Sequence, residues 1–504
     1  MLLTLLIIWI VTVLVVMLRR LRICRSLPGP PLRNLRTIVL GSIMDGSIPS
    51  ISQRHRSFAK YQAQYGPILR LYQVFLRPIV FIGNFDLFPQ WYHKADTDRS
   101  SMAFAAPRST LGLQMGTEWA AHRRLVAGLF SVSSIDSFLP TIHAASAAMC
   151  ELWRAEHGKE IDVNADLGAW SLDIFGRVAC AHDFQGLALA RSTGSPYHRA
   201  AKEILKGIVN HMMMGRFLWL KRGEMRRYRH ALGLYRKAAA DILDRLDAAG
   251  EGAPVAGEGP GGGEGAVAGE GAGAGEGPDA GDGEASRCLA GKLARLSSHE
   301  GARLSREEVV QEVIGLMLAG HETSSNTLTW VLHLLARHPT AQAAVRAEVA
   351  TLDLHKASLK DLYDCPLLQG AIYESLRLHS TVPVVPKVFD FAATFGGHTV
   401  PARTKIIQNK LAIGQDASQF PNPAMFDPSR FARGEFGEHG ARIMAFGLGP
   451  RACVGFRLAE AELLSGLAHV LRSFRVLPGS VAPVESLAVT LQPADGLRLV
   501  LEPL

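Results

Sequence analysis

The sequence has few cysteines and uses none of them in pairs. Its six (Cys24, Cys150, Cys180, Cys288, Cys365 and Cys453) are scattered over 504 residues with no CxxC spacing. That excludes a small disulfide-stapled secreted domain and fits a reducing, cytosol-facing environment. No GxGxxG follows a strand-like run, so the chain has no site of its own for a flavin or a nicotinamide. Nucleic-acid motifs are missing too, and the basic residues are not interleaved with aromatics. The net charge of +8 therefore points to a membrane surface or an acidic protein partner, with no nucleic acid among the partners. One stretch, 250–284, holds eight Asp and Glu and no Lys or Arg, which leaves the rest of the chain twice as basic as the net value.

What is present is apolar and long. Hydrophobic residues make up 48% of the chain, enough for a large core. Residues 1–18 read MLLTLLIIWIVTVLVVML, an uncharged run close to the ~20 residues that cross a bilayer. Arg19, Arg20, Arg22 and Arg25 follow, and a basic flank on that side keeps it cytosolic. No basic segment precedes the run and no A-x-A type cleavage site follows it, so it reads as an N-terminal transmembrane anchor rather than a removed signal. Residues 19–51 then form a basic flank and a proline-rich hinge, in which Leu27-Pro28-Gly29-Pro30-Pro31 stops the helix and acts as a stiff spacer.

From 52 to 504 the pattern predicts one large domain, mainly α with a minor β-sheet. Helical periodicity runs over 118–130, 197–214, 225–246, 306–337 and 358–378. Strand-like stretches fall at 68–74, 78–82, 387–407 and 486–501. Residues 250–285 collapse to Gly, Ala, Glu and Pro, too poor in apolar side chains to fold, and read as a disordered insertion between two helices.

The most specific motif is Phe446-Gly447-Leu448-Gly449-Pro450-Arg451-Ala452-Cys453-Val454-Gly455, ahead of a helical pattern over 456–471. A thiolate that ligates a metal must be deprotonated and shielded. Glycines such as Gly447 and Gly455 let backbone N–H groups approach the sulfur, and a following helix N-terminus adds positive potential. Arg451 is placed to meet an anionic cofactor group. An isolated buried cysteine is usually inert; this spacing argues otherwise.

The loop resembles that of the cytochrome P450 family, FxxGxRxCxG, at every fixed position. The resemblance implies the cytochrome P450 fold, haem b as cofactor and Cys453 as its iron ligand, with Phe446, Gly447 and Gly455 shaping the loop. Three further motifs follow in the family's order. Trp119 and Arg123 match WxxxR, whose two donors, with Arg451, reach the haem propionates, and Lys387 lies where many members place another basic residue. Glu374 and Arg377 match ExxR, completed by Arg430 in the FDPSRF segment to give a structural triad. Ala319-Gly320-His321-Glu322-Thr323 matches [AG]Gx[DE]T. There the threonine and the acid relay protons on the oxygen side, which makes Thr323 and Glu322 the catalytic pair, and Gly320 is expected to leave room for dioxygen.

The family's substrate contacts map to 95–116, 191–220, 313–323, 381–386 and 492–496. These are mostly apolar, so a lipophilic substrate of fatty acid, sterol or terpenoid type is implied. Phe217-Leu218-Trp219-Leu220 is expected either to edge into a bilayer or to end a core helix. The resemblance further implies O2 as co-substrate, an NADPH-dependent flavoprotein reductase docking near Arg123, Arg124, Arg451 and Arg457, and an endoplasmic reticulum membrane with the domain in the cytosol. Two other readings remain at this level: a reductase-independent enzyme that rearranges peroxides, and a non-catalytic haem sensor.

Overall fold

The computed structural model describes residues 2–32, 51–73, 76–87, 111, 114, 116–156, 158–190, 192–214, 221–250, 288–295, 304–432, 445–447 and 449–504. Most of the 250–285 insertion, residues 33–50 of the hinge, most of the 95–116 substrate segment and the 217–220 edge lie outside the described residues.

Eleven of the longer described helices organise the chain. They are α1 (Leu2–Arg22), α2 (Arg54–Tyr65), α3 (Gly116–Ala127), α4 (Val132–Arg154), α5 (Val163–Cys180), α6 (Pro196–Met214), α7 (Arg222–Gly250), α8 (Arg306–Arg337), α9 (Pro339–Val349), α10 (Pro366–Leu378) and α11 (Phe456–Ser473). α1 runs four residues beyond the apolar segment, because Arg19, Arg20 and Arg22 suit the negative end of its dipole. The proline-rich hinge then docks rather than merely spacing. The Arg70 N–H donates to the Pro28 carbonyl at 2.8 Å, and a Cβ on Gly29 would stand 2.1 Å from the Arg70 carbonyl oxygen.

The centre of the fold is α8. A capping box starts it, with Ser305 and Glu308 exchanging side-chain and backbone hydrogen bonds. Its buried length packs on α5, α7, α10 and α11. One hydrophobic cluster runs without a break from Leu111 to Leu501, so the helical body has a single core. The periodic stretch 358–378 is two helices, not one: Leu359–Tyr363 ends before Cys365, and Pro366 opens α10 at its first turn.

The strands are short. β1 (Ile68–Gln73) and β2 (Arg77–Ile82) form a hairpin joined by parallel pairing of β2 to β7 (Lys405–Asn409), with β4 (Val384–Lys387) on the far edge of β7. Between β4 and β7, the expected single strand region folds out as the hairpin β5 (Ala393–Phe395) and β6 (His398–Val400). Its two turn residues, Gly396 and Gly397, take φ of 53° and 82°, the left-handed pair that a tight hairpin needs. The C-terminal strands β8 (Phe474–Pro478) and β11 (Arg498–Pro503) pair with each other and with β3 (Glu160–Asp162), while β9 (Glu485–Leu487) and β10 (Leu491–Pro493) make a separate hairpin. The sheets are thus minor beside the helices, as the sequence implies.

Candidate active site

Cys453 sits in a loop whose shape its glycines permit. Gly447 and Gly449 have φ of 84° and 76°, conformations that a side chain would strain. The turn is closed by the Cys453 N–H donating to the Phe446 carbonyl at 2.9 Å and the Ala452 N–H to Gly449 at 2.9 Å. Gly455 then caps α11, and a Cβ there would come 3.3 Å from the Phe130 ring.

The Cys453 side chain is open to solvent, yet desolvation by the protein around it pushes its thiol above the ordinary value. The Gly455 N–H, Arg123 and Lys410 pull in the opposite direction. Those three stabilise the anion, and a coordinated metal deprotonates a thiol outright. Lys410 is a residue that no motif marked. It follows β7 and is 4% exposed. Its ammonium donates to the Ala445 carbonyl at 3.1 Å, and burial lowers it to about 8, with Cys453 acting to raise it. Lys387, the basic residue expected to serve the cofactor, is buried in β4 opposite Ile406.

Trp119 and Arg123 lie on α3, and the Arg451 guanidinium carbon stands 3.7 Å from the centroid of the Trp119 ring. Arg451 also donates to the Gln114 carbonyl at 2.9 Å. Arg123 is half-buried, and burial lowers its pKa while Cys453 raises it. The structure thus brings Trp119 against Arg451 and Arg123 within the field of Cys453. An accessible thiol beside an indole N–H and two guanidiniums is a donor set that fits a haem carrying two carboxylates. His122, a spacer in the WxxxR pattern, is buried with its Nε2 3.4 Å from Glu312. Burial pushes Glu312 up to about 7.

On α8, Thr323 donates its hydroxyl to the Ala319 carbonyl at 2.7 Å. Ser325, Thr327 and Thr329 do the same four residues back, to His321, Thr323 and Ser325. This back-bonding satisfies hydroxyls inside an apolar body and competes with the helix ladder. Glu322 is 2% exposed, so it does not face solvent. Burial raises its carboxyl, which favours the protonated form; Lys202, Asn326 and Thr490 oppose this. Asn326 donates to Glu322 Oε2 at 3.1 Å.

Gly320, expected to clear space for dioxygen, also answers to packing. A Cβ there would stand 2.6 Å from the Phe175 ring of α5, so helix packing already demands the glycine. Beside it, His321 and His198 of α6 face each other at 3.0 Å between Nε2 and Nδ1. Burial lowers His321 to about 3 and His198 well below its ordinary value, keeping both neutral.

Glu374, Arg377 and Arg430 come together under this assembly. Arg377 Nε and Nη2 each donate at 2.7 Å to one oxygen of Glu374, and Arg430 Nε reaches Glu374 Oε1 at 3.3 Å. Arg377 also donates to the carbonyls of Gly414, Pro423 and Met425.

An accessible cysteine at a helix start, indole and guanidinium donors beside it, and a long central helix with a buried acid define a haem-thiolate protein. The Cytochrome P450 family profile matches residues 31–245 and 284–498, and the chain belongs to that family. The family carries haem b on a cysteine thiolate. Among curated proteins, the chain is 37% identical over 182 residues to mouse 25-hydroxyvitamin D-1 alpha hydroxylase, mitochondrial, covering 35% of each chain. It is 36% identical over 205 residues to the cholesterol side-chain cleavage enzyme, mitochondrial, of Oncorhynchus mykiss, covering 40% of each. It is 34% identical over 212 residues to human Cytochrome P450 4F11, covering 41% of this chain and 40% of that one. The alignments thus span less than half the length of these relatives.

Proposed function

We propose that this protein is a monooxygenase that uses O2 and externally supplied electrons to oxidise a lipophilic substrate. The observation that carries the reading is the pairing, on one central helix, of a buried acid held toward its protonated form with an adjacent half-buried hydroxyl, in a chain whose glycine loop leaves the Cys453 thiol accessible. Haem, when bound, supplies oxygen activation at an iron whose thiolate ligand donates electron density. The residues do the rest. Trp119, Arg123 and Arg451 orient the cofactor through its carboxylates. Glu322 holds a proton in the interior and Thr323 passes protons onward through its hydroxyl. The glutamate and threonine favour this reading over peroxide rearrangement, which needs no proton supply.

The names of the relatives, which act on vitamin D and cholesterol, support a sterol-like or fatty substrate. An NADPH-dependent flavoprotein reductase fits the absence of a nucleotide motif in the chain. The resemblance and the Arg19, Arg20 and Arg22 flank favour a domain in the cytosol at the endoplasmic reticulum, and the membrane anchor at 1–18 has separate support. Ile7, Ile8, Val11, Leu14, Val15, Val16 and Leu18 of α1 are all exposed, and of its described apolar residues Met17 is buried, against Tyr72 and Leu76. Among the described residues, no single helix is long and apolar enough to cross a membrane. Extraction of the cell membrane fraction at alkaline pH tests the anchor: release of the full chain into the supernatant would sink it.

The activity is tested with Thr323→Val and Cys453→Ala in the purified protein reconstituted with NADPH and a flavoprotein reductase. Thr323→Val is expected to keep substrate binding while lowering product formed per NADPH by about tenfold, the lost electrons appearing as hydrogen peroxide. Cys453→Ala is expected to lose the thiolate-type spectrum of the reduced carbon monoxide form. Equal coupling in Thr323→Val, or a retained spectrum in Cys453→Ala, would overturn the assignment.

A further inference from the structure

We infer that His198, His321 and Glu322 form a binding site for one divalent transition-metal ion of the zinc, nickel and copper class, set between α5, α6 and α8 and separate from Cys453. One ligand-type atom from each of the three residues lies within 4.8 Å of the others. The two imidazoles stand edge to face, 89° apart, with Nδ1 of His198 and Nε2 of His321 3.0 Å from each other. At metal–nitrogen distances of about 2.0–2.1 Å, that separation subtends an angle of roughly 91–97° at an ion, and a tetrahedral ion needs the pair to open by about 0.3–0.4 Å. Two imidazoles with one carboxylate select borderline transition ions over magnesium or calcium, which ask for oxygen ligands.

A second observation points to a ligand. Glu322 Oε1 is buried and makes no hydrogen bond within the protein; the outer ring nitrogens, His198 Nε2 and His321 Nδ1, are also unpartnered but face away from the ion position. A buried carboxylate oxygen without a partner is rare in a native interior and calls for an unseen one. The remaining atoms are held. Asn326 fixes Glu322 Oε2, as an outer partner orients a ligating carboxylate. His198 fits at all because residue 168 is glycine: a Cβ there would lie 2.4 Å from the imidazole Cε1 and Nδ1. Two groups work against a cation, Arg199 on His198 alone and Lys202 on the whole site. Lys202, four residues on from His198 on α6, places its charge on His198, His321 and Glu322 alike, so its removal should strengthen binding.

An ion here takes up Glu322 as a ligand, and under the proposed function it would therefore compete with proton delivery. The site itself does not depend on that reading. The test is zinc binding to the resting holoprotein, stripped with a chelating resin and dialysed to equilibrium against Zn2+, with metal counted per haem and the zinc shell read by X-ray absorption. We expect one zinc per haem, with nitrogen and oxygen neighbours at about 2.0–2.1 Å and no sulfur. His198→Ala and Glu322→Gln should each weaken binding at least tenfold while the haem spectrum stays intact, Lys202→Gln should tighten it several-fold, and the exposed His230→Ala should bind as wild type does. Absence of zinc at micromolar free metal, sulfur in the shell, or equal binding by His198→Ala and wild type would overturn the site. No reductase or substrate is present in this measurement, so its failure and a failure of the monooxygenase reading are separate results.

Discussion

The guanidinium of Arg451 stands 3.7 Å from the centroid of the Trp119 ring, so two motifs from opposite ends of the chain act as one unit. The indole fixes the direction of a cation that also donates to the Gln114 carbonyl. Such a stack contributes about 0.5–2 kcal/mol. Trp119→Leu should release haem to an excess of apomyoglobin roughly 2–30-fold faster than wild type, and Trp119→Phe, which keeps a ring, much less so. An unchanged rate in Trp119→Leu would mean that the stack does not hold the cofactor loop.

Arg377 is fully buried and directs five hydrogen bonds, two to Glu374 and one each to the carbonyls of Gly414, Pro423 and Met425. A lysine has no planar fork to serve a carboxylate and three carbonyls at once. Arg377→Lys therefore leaves buried acceptors unmet, and denaturant unfolding should register a loss of about 3–5 kcal/mol. A loss under about 1 kcal/mol would show that the triad is dispensable for the fold.

Gly320 separates a packing role from a role in oxygen access. Its missing Cβ is where the Phe175 ring lies, so Gly320→Ala should destabilise the protein by about 1–3 kcal/mol through overpacking. Trimming the obstacle in Gly320→Ala/Phe175→Leu should recover part of that loss in thermal unfolding. If the double variant loses, relative to wild type, the sum of the two single losses, the two side chains do not compete for space.

These residues also mark what a sequence reveals. The cysteine loop, ExxR, WxxxR and AGHET were legible because each fixes residues along one short segment, where spacing alone sets geometry. Glu374 with Arg377 is such a case, one helical turn apart. The reason for Gly320 was not legible, since it depends on which helix α8 meets and how closely. Lys410 carried no motif; it became a neighbour of Cys453 only when β7 was laid beside the cysteine loop. His198 and His122 were hidden for the same reason: their partners, His321 and Glu312, lie on a distant helix. The hint available was a polar residue at a position where the helical pattern asks for an apolar one.

Glu462 on α11 is 1% exposed, and burial raises its carboxyl from 4.5 to about 8, with Ser324 opposing. Between these values the folded protein keeps a proton that the unfolded chain has released. Stability therefore falls as pH rises through that window, and the contribution of the neutral acid is complete only below the unfolded pKa. Glu462→Gln removes the titration. It should match wild type near pH 4.5 and exceed it near pH 8, by about 4 kcal/mol if the full shift is expressed. Parallel stability curves for the two proteins between these pH values would show that Glu462 ionises freely where it is.

Lys410 should tune the electron affinity of the holoprotein. Its ammonium is buried and acts on Cys453; a fixed cation near the ligand sulfur draws electron density from it and offsets the negative charge that reduction adds. Lys410→Met keeps the length of the side chain and removes the charge. Its midpoint potential is expected to fall by on the order of tens of millivolts. Lys410→Arg keeps the charge and should stay near wild type in potential even where its bulk lowers stability. Spectroelectrochemical titration reads all three proteins. A potential that shifts equally in both variants would trace the effect to disturbed packing at Ala445, whose carbonyl the ammonium holds, and a potential unmoved in Lys410→Met would remove Lys410 from the electrostatics of the site.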